Sequence, residues 1–301
     1  MIKEIIFYSN VHLGDLHLAR PFIKWFADNF VEVKVKFDHN YSPKVFKDIK
    51  NVEFSDFGWH DKLPREGDIF CNDEEGIYIF NTWAYSGGLN IGCNYIALQN
   101  LFKKYFNFLI SKDERFQHIS FPSQIEAFVP KIDFTSDQIN KNYIDHFFKD
   151  AKWHKKIYVS NNYVASKQAD NFNMNQLILE ISNKFPDTLL ILSNKIDPLL
   201  LDSLNIIYAQ DLVDSKVTDN FDMLEQSYIS TFCDIILGRN SGPFTFAEVD
   251  ENRNKTWITM LYSHINYDAF NLFNIFSHSS EYYHEYNINN VMKILDYKCK
   301  I

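Results

Sequence analysis

The sequence predicts an α/β fold of two domains. Short apolar strands alternate with amphipathic helices along the whole chain, and this rhythm restarts near the middle. At 301 residues, the length suits two domains of about 150 residues each. Apolar runs alternating with helices argue for parallel sheets covered on both faces.

The elements follow in order. Ile5-Ile6-Phe7-Tyr8 reads as a buried strand, Ser9 to Asp15 as a polar turn, and Ala19, Phe22, Ile23, Phe26 and Phe30 mark one face of a helix. Pro21 is expected early in that helix, where a missing N–H does least harm. Val31 to Phe37 is the next strand, and together these form a right-handed βαβ unit. Asp68–Cys71 and Gly76–Asn81 read as strands, 85–90 as a loop, and Asn94–Ile110 and Ile139–Phe148 as helices.

The second half repeats the pattern. Lys156–Ser160, Thr188–Leu192, Asn205–Tyr208, Asp234–Gly238 and Thr256–Met260 read as strands. Helices are expected from Met174 to Phe185, Phe221 to Ser230, Pro243 to Glu248 and Ile288 to Leu295. The domain boundary is expected at 152/153, giving domains 1–152 and 153–301, with the last helix able to pack back on the first domain. Two such domains are expected to face a central cleft at the carboxyl ends of their strands, where ligands bind.

Composition excludes several classes. An aromatic content of 17% rules out a disordered chain, and 9 Gly with 8 Pro rules out a collagen-like or linker-like one. A net charge of −9 gives no sign of nucleic-acid binding. The scattered Cys71, Cys93, Cys233 and Cys299 include no Cys-x-x-Cys and read as reduced thiols, so a cytoplasmic location is expected. No run of about 18 apolar residues predicts a membrane span, and a peripheral contact with a membrane surface stays open.

Four segments carry candidate chemistry. The first is His12-Leu13-Gly14-Asp15-Leu16-His17, after the first strand. Gly14 permits a tight turn, Asp15 either caps the helix or faces the cleft, and His12 and His17 are further candidate acid–base groups. The second is Arg239-Asn240-Ser241-Gly242-Pro243-Phe244-Thr245, which leaves a strand and opens a helix. Free N–H groups there favour an anion, and Arg239 adds a forked donor for phosphate or carboxylate. The third, Ser160 to Gln168, offers Ser160, Asn161 and Lys167 and reads equally as a phosphate loop or a solvated one. The fourth, His278 to Glu285, would bring His278, Glu281 and His284 or Glu285 together only on a helix; it lacks His-Glu-x-x-His spacing and reads as a loop, so no metal site is expected. There is no Gly-x-Gly-x-x-Gly, P-loop or Gly-x-Ser-x-Gly motif, and no Asp-x-Asp pair to hold a cation at a diphosphate.

His12-Leu13-Gly14-Asp15-Leu16-His17-Leu18-Ala19-Arg20-Pro21 resembles the Leu-Gly-Asp…Pro start of the ADP-heptose:lipopolysaccharide heptosyltransferase family, and Asn240-Ser241-Gly242-Pro243 resembles the late Ser/Thr-Gly-Pro segment of that family. Two departures stand out: Asn240 where the family has Asp, and Phe244-Thr245-Phe246 where a His usually follows. The resemblance implies two Rossmann-like domains of the GT-B type and a metal-independent, inverting glycosyltransferase of polysaccharide or lipopolysaccharide biosynthesis. The substrates it implies are a nucleotide-sugar donor and a carbohydrate or glycolipid acceptor. Asp15 would then be the base. Ser160, Asn161, Lys167, Arg239, Asn240, Ser241, Gly242 and Thr245 would hold the donor and its diphosphate. A nucleotide-sugar hydrolase or 2-epimerase of the same architecture, using His12, Asp15 and His17, is the alternative enzyme. A non-catalytic nucleotide-sugar-binding protein is the third reading.

Overall fold

The computed structural model describes residues 1–9, 12–55, 69–83, 95–136, 139–150, 152–162, 172–196, 205–213, 222–239, 241–260, 281–285 and 287–299. These fall into two compact units, one running from Met1 to Asp133 and the other beginning at Phe134.

The first unit is built on a sheet with β1 (Glu4–Ser9) at its centre. Strand order is β3-β2-β1-β5-β4, with β2 Lys34–His39, β3 Glu53–Ser55, β4 Ile69–Asn72 and β5 Ile77–Asn81. β1 runs parallel to both β2 and β5, whereas β4 is antiparallel to β5. The expectation of purely parallel strands therefore fails at this edge. Residues 73–76 close a tight β4–β5 hairpin, which leaves no room for a crossover helix. Gly76 makes the turn at φ +73°, and a Cβ there would sit 2.4 Å from the Met1 carbonyl.

Helix α1 spans Leu13–Asn29 and α2 spans Tyr95–Lys112. Leu16, Ala19, Phe22, Ile23 and Phe26 form the buried face of α1. Phe22 stacks on Phe102 of α2 at 4.8 Å and on Phe128 at 4.2 Å, and Phe26 meets Phe7 of β1 edge-on at 5.1 Å. The helix starts earlier than expected, so Pro21 lies in its interior and cannot donate to the His17 carbonyl four residues back. Next to it Arg20 is completely buried. It pairs with Asp48 at 2.5 Å, donates to the Val45 carbonyl and lies 4.6 Å above the Phe46 ring.

The second unit carries a six-stranded sheet in the order β11-β10-β9-β6-β7-β8, every pair parallel. Its strands are β6 Lys155–Ser160, β7 Thr188–Leu192, β8 Ile206–Tyr208, β9 Ile235–Arg239, β10 Thr256–Met260 and β11 Glu281–Glu285. Five helices are described: α3 Asn142–Asp150, α4 Met174–Lys184, α5 Met223–Thr231, α6 Gly242–Phe246 and α7 Ile288–Lys298. Alternate strand residues feed two cores. Ile157, Val159, Leu190, Leu237 and Ile258 pack with α4 and α7, and Tyr158, Leu189, Ile191, Ile236 and Trp257 pack with α3, α5 and α6.

One boundary falls elsewhere. The compact units divide before Phe134 rather than at 152/153, because the connecting stretch already packs with the second unit. Ile144 enters its core, Phe148 stacks on Phe232 at 4.4 Å, and Asn140 donates to Glu225. The last helix, α7, buries Val291, Met292 and Leu295 in the core of the second unit. The segment expected as a loop before residue 285 contains strand β11. Its Glu281 bonds Thr256 and Lys298. His278 lies outside the described residues.

Candidate functional site

Both sheets are wound the same way. In each unit the chain lays down three strands outward from the centre, then returns to the other side of the first. The strand order therefore reverses beside β1 in the first unit and between β6 and β9 in the second. At such a switch point the loops leave the carboxyl edge in opposite directions and open a crevice, the usual ligand position in open α/β sheets.

In the second unit, this switch point brings together Ser160 at the end of β6, Arg239 at the end of β9 and Ser241 just beyond it. Ser160 and Ser241 share a buried hydroxyl–hydroxyl hydrogen bond of 2.8 Å. Gly238 makes that contact possible. A Cβ at Gly238 would lie 2.6 Å from both Cβ and O of Ser160, so only glycine lets the two strands close this tightly. Ser241 occupies the N-cap position of α6, but its side chain makes no capping bond. Its hydroxyl serves Ser160 instead. Thr245 is buried one turn into α6, and its N–H donates to the Ser241 carbonyl at 2.9 Å. Gly242, the first helical residue, is half-buried.

Arg239 is half-buried and donates through Nη2 to the Phe172 carbonyl at 2.7 Å, tying β9 to the approach to α4. Asn161 sits differently from its expected role. Its Oδ1 accepts from Ser193 Oγ and from the Asn194 N–H, and its Nδ2 donates to the Asn194 carbonyl at 2.9 Å. Both ends of this buried amide thus latch the end of β6 to the end of β7. Lys167 and Asn240 lie outside the described residues.

In the first unit, the expected polar turn is largely helix. Gly14, Asp15 and His17 belong to α1, so Gly14 is a helical residue and not a turn glycine. His12 takes the N-cap position without a side-chain cap, and its carbonyl accepts the Asp15 N–H at 3.0 Å. Asp15 is half-buried in the first turn and is not the cap. His12 is exposed, whereas His17 is fully buried and faces packed protein. Ser9, Asp38, His39, Asn81 and Thr82 are buried at this carboxyl edge, and Thr82 bonds back to the Tyr8 carbonyl through N–H at 2.8 Å.

One residue here escaped the sequence reading. Tyr41 stands two residues past β2, and its phenol feels the backbone of Leu13 at the start of α1. Burial raises this phenol above its usual range, the charge of Asp15 adds to the rise, and the Leu13 backbone opposes it. The Tyr41 N–H donates to Nδ1 of His39 at 3.1 Å, which fixes the turn. Position alone was the available signal, since a strand's carboxyl end is where ligand-facing residues gather. Gly238 was missed for another reason: its role depends on strand spacing.

Among the described residues, no group of three or more His, Cys, Asp or Glu is placed to hold a metal ion, and no helix is long and apolar enough to cross a membrane.

Two α/β units, each a mostly parallel sheet with helices interleaved, give an architecture of the GT-B type. No family model matches the sequence, and no curated protein does. Solved structures share the fold along nearly the whole chain. E. coli ADP-heptose lps heptosyltransferase II is similar at TM-score 0.52 and 8% identity, covering 98% of this chain and 98% of that one. The glycosyl transferase family 9 protein from Veillonella parvula DSM 2008 is similar at TM-score 0.51 and 10% identity, covering 98% and 91%. E. coli heptosyltransferase WaaC with ADP is similar at TM-score 0.50 and 7% identity, covering 99% and 98%. At such identities the likeness establishes the fold alone.

Proposed function

We propose that this protein is a metal-independent glycosyltransferase that moves a sugar from a nucleotide-activated donor to a carbohydrate or glycolipid acceptor. The observation that carries the reading is the switch point of the second unit. There the hydroxyls of Ser160 and Ser241, the start of α6 and the Arg239 guanidinium converge on one carboxyl edge. Hydroxyls, backbone N–H groups and a forked cation form a donor set suited to a diphosphate. Five residues make α6 too short for much of a dipole, so the individual donors carry the weight. The sequence has no Asp-x-Asp pair, and we assign neutralisation of the leaving diphosphate to Arg239 and to Lys167. Solved relatives in fold are named as glycosyltransferases, one of them with ADP, which supports a nucleotide donor.

In this reading the first unit supplies the base. Asp15 sits half-buried on the first turn of α1, at the carboxyl edge of β1. A carboxylate there would take the proton of the attacking acceptor hydroxyl, and direct attack inverts the anomeric centre. Exposed His12 is the next candidate, and buried His17 is set aside.

The test is turnover of a nucleotide-sugar panel with carbohydrate and glycolipid acceptors, in the presence of a chelator. Asp15→Asn keeps the shape of the first turn and removes the proton acceptor. It is expected to fold normally, bind donor and lose roughly 10²–10⁴-fold in turnover. Near-normal transfer by Asp15→Asn removes Asp15 as base. Activity that vanishes with chelator and returns with magnesium or manganese defeats metal independence. Donor breakdown at full rate without acceptor replaces transfer by hydrolysis.

A further inference from the structure

We propose that the side-chain amide of Asn162 is a further donor to the diphosphate of the nucleotide sugar, and that the Ser193 hydroxyl orients it by holding its oxygen. The proposal rests on the reading of the second unit's switch point as the diphosphate site and adds two residues to it.

Two asparagines follow β6, and they do different work. Asn161 is buried, and its amide is used at both ends: Oδ1 takes the Asn194 N–H at 2.9 Å, and Nδ2 donates to the Asn194 carbonyl at 2.9 Å. That amide has little left to offer a ligand. Asn162 is half-buried, and its Oδ1 accepts from Ser193 Oγ. Among the described residues, Nδ2 of Asn162 has no hydrogen-bond partner. A primary amide carries two N–H donors, so both remain for a ligand.

Ser193 decides which end of the Asn162 amide is held. It is buried directly after β7, and its oxygen takes the Asn161 backbone N–H at 3.1 Å. A hydroxyl has one proton to give. Asn161 Oδ1 lies 3.1 Å away but already holds the Asn194 N–H, so the proton is of most use at Asn162 Oδ1, which has no other donor among the described residues. With its oxygen held by Ser193, the amide presents its NH2 group on the other side. Asn162 stands two residues beyond Ser160, so their Cα atoms lie within about 7 Å of each other. Ser160 in turn bonds Ser241 at this carboxyl edge. A neutral N–H on an ionised phosphate oxygen makes a charge-assisted hydrogen bond, which adds to the hydroxyls and to Arg239 without adding a charge.

Pyrophosphate is the probe, titrated calorimetrically into the intact protein with chelator present. Asn162→Ala is expected to weaken binding about tenfold, the worth of a hydrogen bond to a charged group. Asn162→Asp keeps the shape, exchanges the donors for acceptors and adds a like charge, so it should bind more weakly still. Asn162 is half-buried and makes a single described side-chain bond, so neither variant threatens the fold. Ser193→Ala releases the amide and should also lower affinity, yet add little where Asn162 is already alanine. Unchanged affinity in Asn162→Ala and Asn162→Asp overturns the proposal, and a loss confined to Arg239→Ala shows that the diphosphate reading survives it. A parent that binds no pyrophosphate overturns both. Fully additive losses from Ser193→Ala and Asn162→Ala overturn the orienting role of Ser193. If Ser193→Ala does not fold, the two Asn162 variants decide.

Discussion

Replacing Gly238 by alanine tests the crevice of the second unit by its narrowest dimension. The added Cβ would lie 2.6 Å from both Cβ and O of Ser160 and 3.0 Å from its Cα. Those neighbours belong to a central strand and cannot swing aside as a flexible side chain would. Restoring ordinary carbon contacts needs roughly 1 Å of separation between β6 and β9 at that edge. Overpacking of this kind costs about 1–3 kcal/mol. The same separation stretches the 2.8 Å Ser160–Ser241 bond, worth about 1 kcal/mol more. Gly238→Ala is therefore expected to lose about 2–4 kcal/mol. Urea unfolding followed by circular dichroism measures the loss, and calorimetric titration with nucleoside diphosphates should show weaker binding in parallel. A Gly238→Ala protein within about 0.5 kcal/mol of the parent and with unchanged diphosphate affinity would refute the strand-spacing argument.

In the first unit, Arg20→Met leaves Asp48 buried without its cation and should cost about 3–5 kcal/mol in urea unfolding, while Arg20→Met with Asp48→Leu should recover much of it. A single variant as stable as the parent shows that the pair is not holding α1 to residues 43–48. In the second unit, burial pulls Lys255 down to about 8 while its ammonium donates to the carbonyls of Ser230 and Thr231 at the end of α5. Between about pH 8 and the ordinary lysine value the unfolded chain holds a proton that the folded chain has shed, so stability rises with pH across that window. Measured as the difference from Lys255→Met, the rise should reach up to about 3 kcal/mol, and a flat difference curve would contradict it.

Much of the fold was legible because each strand announces itself locally. Ile5–Tyr8 and Thr188–Leu192 are unbroken apolar runs of strand length, and the apolar positions of α4 and α7 recur at helical spacing. Three features were not legible, each for a physical reason. β3 is three residues long with two of them exposed, so it carries no periodic signal. β11 is a polar edge strand, and its pairing with β10 depends on a partner far away in sequence. The domain boundary was placed at the strand restart, but Phe134 and Ile144 had already committed their apolar surface to the second core. Of the candidate segments, the one around Ser241 is legible as a strand end that opens a helix, and β9 and α6 stand there. Its partner contact with Ser160 is not, since only sheet topology brings β6 and β9 side by side. Tyr41 stayed hidden because a lone tyrosine beyond a strand has no motif.

The winding shared by both sheets also sets which pairings span the most chain. In each unit the strands on one side of the centre are joined by short stretches of chain, whereas the strand that pairs with the other side of the first strand is far from it in sequence. Glu4 meets Ile77, and Ile157 meets Ile235, so each closing contact spans more than seventy residues. Loop-closure entropy makes such contacts slow relative to the local ones that precede them. Each switch point therefore depends on the pairing of longest chain separation in its own sheet, the one most exposed to loop-closure entropy.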